Sequence, residues 1–101
     1  MSVHIRRILF DALKPRETSI IDLSQALCSV EGVEECGIVV VDVDVKTETV
    51  KVTIRGPSVD YEAISKIMEE QAVSIKGVDE IDVVKVKPSP KPPPTKSPES
   101  S

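Results

Sequence analysis

The chain has 101 residues, a formal net charge of −4 and one Phe and one Tyr as its only aromatics, which bounds it to one small domain with an aliphatic core. An acidic balance excludes the basic face that a nucleic-acid binder needs, and anionic membrane surfaces for the same reason. No run approaches about 18 consecutive apolar residues, so no segment reads as a bilayer-spanning helix.

The N-terminal stretch Met1-Ser2-Val3-His4-Ile5-Arg6-Arg7 carries no signal-type apolar run, and the expected setting is cytoplasmic. Asparagine is absent and 30% of residues are charged, a composition that leans towards a thermophilic source. Cys28 and Cys36 lack CxxC spacing and are expected to be free, buried thiols.

From Ile5 to Leu13 the sequence alternates as a strand, with Ile8, Phe10 and Ala12 on one face and Leu9, Asp11 and Leu13 on the other. Pro15 ends it. Ser19 reads as a helix N-cap with Asp22 in the first turn. Ile20, Leu23, Leu27 and Val30 then form an apolar stripe, and Gly32 sits where a helix-terminating glycine belongs. Residues 35–45 are β-branched, Lys46-Thr47-Glu48-Thr49 is a polar turn, and Val50, Val52 and Ile54 alternate with Lys51, Thr53 and Arg55, which predicts a hairpin. Gly56-Pro57-Ser58 breaks the strand. Asp60 caps a second helix with Tyr61, Ile64, Ile67, Met68 and Ala72 on its apolar side, and a last strand runs from about Val78 to Val86.

Ser29-Val30-Glu31-Gly32-Val33-Glu34-Glu35 matches Ser74-Ile75-Lys76-Gly77-Val78-Asp79-Glu80 in residue type at every position. A helix end feeding a strand start twice implies two βαβ halves. Joined by the hairpin, they predict an α+β, ferredoxin-like βαββαβ sandwich over residues 1–87, a four-stranded antiparallel sheet with two helices on one face. The second strand is hard to phase. Ile38 and Val40 share one parity, and Val41, Val43 and Val45 share the other, opposite Asp42 and Asp44. Either a bulge near Val40–Val41 shifts the pattern or a partner chain covers the open face, and a homo-oligomer is expected. Residues 88–101 hold six of the eight prolines and read as a disordered, polyproline-prone tail, in which Lys91-Pro92-Pro93-Pro94 could dock an aromatic groove.

Ile5-Arg6-Arg7, the run Asp11-Ala12-Leu13-Lys14-Pro15 with Glu17 and Ser19-Ile20, Glu31-Gly32-Val33-Glu34, Thr49 to Ile54, Asp60-Tyr61-Glu62, and Ile75 with Asp79-Glu80 together resemble a small archaeal family of uncharacterised ferredoxin-like domains. The resemblance covers about residues 5–86 and omits the tail. It departs at Arg16 and Thr18, where His and Pro are expected, so no histidine site in that loop carries over. It implies the same fold, a cytoplasmic setting and a homo-oligomer built by sheet-face or edge contacts, and supplies no activity.

Several chemistries lack their residues. The loop Lys14-Pro15-Arg16-Glu17-Thr18 has no thiol for a soft metal. Arg16 could serve acyl-phosphate chemistry, but no asparagine is present to orient water. His4 is the single histidine, and nothing in the sequence places it beside a serine. Two candidate sites survive. Asp11, Asp42 and Asp44, if they share the open face, would offer hard oxygen ligands to calcium or magnesium. Lys14, Arg16 and Ser19 surround a helix N-terminus suited to a small anion. The expected function is a non-enzymatic, self-assembling domain that binds a small anion or a divalent cation at subunit interfaces. The alternatives are a regulatory sensor of a small anionic effector and a phosphate-ester or acyl-phosphate hydrolase.

Overall fold

Residues 2–86 are described by a computed structural model; the proline-rich segment 88–101 lies outside them. Strand β1 (Ser2–Pro15) is followed by helix α1 (Ile20–Cys28), strands β2 (Glu35–Val43) and β3 (Thr47–Val59), helix α2 (Tyr61–Glu70) and strand β4 (Ser74–Val86). The sheet order is β2-β3-β1-β4, and every neighbouring pair is antiparallel. This is the ferredoxin-like βαββαβ arrangement. Its centre follows from side-chain alternation: Ile8, Phe10 and Ala12 of β1 and Val50, Val52 and Ile54 of β3 face the helices and are buried. Leu23 and Leu27 of α1, Ile64 and Met68 of α2, and Val59 and Val73 complete the core.

Both helices start where an oxygen is available to the first free N–H groups. Ser19 Oγ accepts from the Ile21 and Asp22 amides at 3.1 and 3.4 Å, and Asp60 Oδ1 accepts from Glu62 and Ala63 at 3.0 and 3.2 Å.

The second strand contains a bulge. Val40 pairs with Val50, but Asp42 pairs with Thr49, so Val41 is an extra residue. Cys36, Ile38 and Val40 therefore pack on the core before the bulge, and Val39 and Asp42 fall on the open face opposite Lys51 and Thr49. Of the two ways to phase this strand, the bulge applies, and the parity pattern alone does not require a covering chain.

Three expectations are corrected. Gly56-Pro57-Ser58 does not end β3. Between the pairs Arg7–Arg55 and Ile5–Val59, three residues of β3 face a single residue of β1, so Pro57 sits where the ladder is already irregular. Gly56 is required there because a Cβ would lie 1.9 Å from the Gly32 carbonyl oxygen, and Gly32, at φ +92°, would bring its own Cβ to 2.0 Å from the Ser58 carbonyl. Second, the two copies of the repeat occupy different positions. Ser29 to Gly32 lie after α1, whereas Ser74 to Gly77 lie within β4, and Ala72, at φ 60°, makes the left-handed turn after α2. Third, both cysteines are free, but Cys28 is exposed and Cys36 half-buried.

Candidate functional site

Lys14 continues the inward series Ile8, Phe10, Ala12 and is buried, with 1% of its surface exposed. Its ammonium meets the Pro15 carbonyl at 2.9 Å, the Thr18 carbonyl at 2.5 Å and Glu48 Oε1 at 2.7 Å. An ammonium has three protons, and three oxygens surround it here. Lys14 therefore clasps the β1–α1 loop to the β2–β3 hairpin and turns away from the surface where an anion would sit. Counting parity along β1 from Phe10 to position 14 would have shown this. Ser19 spends its oxygen on the α1 cap. Arg16 is exposed, and its backbone N–H donates to the Lys46 carbonyl at 3.0 Å. Of the three residues, Arg16 alone offers a surface charge that makes no ion pair among the described residues.

The open sheet face is a lattice of opposite charges. Lys51 Nζ lies 2.8 Å from Asp11 Oδ1 and 3.2 Å from Asp79 Oδ2. Arg7 Nη1 lies 2.9 Å from Glu80 and 3.5 Å from Asp82, and Arg55 lies 3.7 Å from Glu35. The Lys51 hydrogen bond, reinforced by its charge, holds the Asp11 carboxyl below its ordinary 3.8. The same bonds to Asp11 and Asp79 raise Lys51. Asp42 shares this face but stands opposite Thr49. Asp44 follows β2, and its Oδ1 accepts from the Val45 amide at 2.8 Å. Among the described residues, no three His, Cys, Asp or Glu side chains are grouped to hold a metal ion.

Burial and the neighbouring Cys28 push the Cys36 thiol up to about 11, so it stays protonated near neutrality. His4 does meet a serine: Nδ1 is 2.8 Å from Ser58 Oγ, and Nε2 is 3.0 Å from Ser2 Oγ. The β1–β3 pairing of Ile5 with Val59 brings these residues together. Sequence reasoning missed this pair because 54 positions separate its members. Among the described residues no carboxylate bonds the imidazole, so the third group that orients a histidine in a hydrolytic triad is not provided.

The remaining distinctive surface is apolar. The large exposed aliphatics include Val39, Val41 and Val43 of β2 and Val78, Ile81, Val83 and Val86 of β4. On the helix side, Ile5, Ile8, Tyr61, Val78 and Ile81 line a groove of about 350 Å³ beside α2. Among the described residues no helix is long and apolar enough to cross a membrane.

A four-stranded βαββαβ domain with a salted open face and two aliphatic edges is thus the class of protein the structure defines. The chain belongs to the DUF211 family, described as uncharacterized ArCR, whose model matches residues 6–87. It is 40% identical over 77 residues to an uncharacterized protein of Methanocaldococcus jannaschii, covering 76% of this chain and 79% of that protein. Neither description assigns an activity.

Proposed function

We propose that the domain acts by assembling with copies of itself, without chemistry of its own. One observation carries this reading: seven of the ten large aliphatics exposed among the described residues lie on β2 and β4, the two strands with a free edge. A free edge presents unpaired backbone N–H and C=O groups, and natural sheets blunt such edges with charge or proline. β4 carries such charges at Lys76, Asp79, Glu80, Asp82 and Lys85, and β2 at Glu35 and Asp42. Yet both edges also leave valine or isoleucine exposed beside the open ladder, which favours strand addition from another chain.

The ligand part of the proposal rests on charges that make no ion pair among the described residues: Arg16 for a small anion, and Asp42 with Asp44 for calcium or magnesium. Asp42 lies in β2 and Asp44 just after it, so a cation held there would sit at the edge where copies meet. Light scattering and native mass spectrometry, before and after chelation, test both parts. The expected result is a discrete oligomer, with any bound cation seen as mass that the chelator removes. A monomer at every concentration up to tens of micromolar would overturn the assembly reading.

A further inference from the structure

We infer that the assembly is head to tail, with β2 of one copy adding to β4 of the next. The inference rests on the self-assembly reading and adds the partner edge, its direction and its register. Strand direction alternates across β2-β3-β1-β4, so the two edge strands run in opposite senses. A second copy placed beside the first in the same orientation therefore brings its β2 antiparallel to β4 and continues the alternation without a break.

Side-chain faces agree with this joint. Val78, Ile81 and Val83 lie on the helix side of β4, paired with Phe10, Ile8 and Ile5, and Ile81 and Val83 remain 49% and 48% exposed. On β2 the helix-side residues before the bulge are Cys36, Ile38 and Val40. In an antiparallel joint, facing residues share a side of the sheet. Setting Ile81 against Val40 puts Val83 against Ile38, Asp82 against Val39 and Val84 against Gly37. Sliding by two residues sets Ile81 against Ile38, Val83 against Cys36 and Glu80 against Val39. In both registers aliphatic meets aliphatic or thiol on the helix side. Carried past the bulge, the first brings Asp42 against the carboxylates of Asp79 and Glu80, whereas the second sets Gly77 against Asp42 and no carboxylate against another. Helix α1 packs on β2, so it would arrive with the incoming strand and extend the helix layer towards the groove beside α2.

The two-fold alternative is electrostatically worse where the joint is centred on Glu80, Ile81 or Asp82; centred on Val78 or Val83 it escapes that penalty, and the complementation experiment separates it from the head-to-tail joint. A β4–β4 joint centred on Ile81 sets Glu80 opposite Asp82 twice, and one centred on Glu80 or Asp82 sets that residue against its own copy; like charges directly opposite destabilise a strand pair. A β2–β2 joint leaves the apolar side of β4 bare. A head-to-tail joint uses different surfaces on its two sides, so it closes into a ring or continues as a filament.

The full chain tests this by complementation. Val39→Glu/Val41→Glu spoils β2 and leaves β4 intact; Ile81→Glu/Val83→Glu does the reverse. Each variant alone is expected to fall to monomer in native mass spectrometry while keeping its circular dichroism, and an equimolar mixture is expected to form a 1:1 dimer and nothing larger. A β2-spoiled variant that remains a dimer, or a mixture that stays monomeric, would overturn the head-to-tail joint and leave self-assembly standing. A monomeric wild type would overturn both. If a double variant fails to fold, Val39 alone reads the same contact. It faces Asp82 or Glu80 in the two registers, so Val39→Lys is expected to keep the oligomer and Val39→Glu to dissociate it. Dissociation by both would refute the register.

Discussion

Replacing Lys14 by methionine is expected to destabilise the domain more than an ordinary surface change. Methionine retains a flexible apolar stem but removes the ammonium that Glu48, Pro15 and Thr18 surround. The carboxylate of Glu48, 19% exposed, is then left with little water to replace the lost cation. Removing one partner from a buried ion pair costs about 3–5 kcal/mol. The lower end applies because Glu48 retains some contact with water. For a domain of this size, a loss of about 3 kcal/mol lowers Tm by roughly 12–24 °C. The double variant Lys14→Met/Glu48→Leu removes both charges and is expected to recover much of the loss, because a buried pair is often replaceable by apolar residues. Urea unfolding followed by far-ultraviolet circular dichroism measures all four corners of the cycle, at one protein concentration because assembly makes stability depend on it. If Lys14→Met lies within about 1 kcal/mol of wild type, the range of ordinary substitutions, the clasp is not what secures this loop.

Gly56→Ala is expected to lose roughly 2 kcal/mol or more, since its Cβ would meet the Gly32 carbonyl oxygen at 1.9 Å and backbone must move; the same urea titration checks it. Stability is expected to fall as pH rises from about 9 towards 11, because Cys36 holds its proton up to about 11 when folded and releases it nearer 9 when unfolded. Comparison with Cys36→Val, in which this component of the slope should vanish, isolates it from lysine and tyrosine titration. Asp11 has the opposite sign: its folded pKa lies below 3.8, so its contribution is present above that value and lost as pH falls through the depressed one. Asp11→Asn is expected to flatten this part of the acid unfolding profile, and an unchanged profile would refute the Lys51 assignment.

Much of the fold was legible because it depends on near neighbours. Ser19 and Asp60 announce helix starts through bonds to amides two and three residues ahead. The alternation of Ile8, Phe10 and Ala12 against Leu9 and Asp11 sets the faces of β1, and the same count carried to Lys14 predicts its inward direction. The repeat was the misleading signal. Similar residues at 29–35 and 74–80 suggested equivalent helix ends, but Gly77 pairs with Asp11 inside β4. Local similarity does not specify where a strand begins, because pairing across the sheet decides that.

The candidate sites were less legible for the same reason. Asp11 looked like a metal ligand until β3 and β4 brought Lys51 and Asp79 beside it. His4 looked isolated until the irregular β1–β3 pairing set it against Ser58. The sequence by itself determined the elements, their order and the aliphatic character of the core, because periodicity and capping act over a few residues. Only the tertiary structure decided which charges are neutralised, which valines stay exposed and which edges stay open. Those outcomes depend on register between strands distant in the chain, and shifting a register by one residue reverses every face it sets.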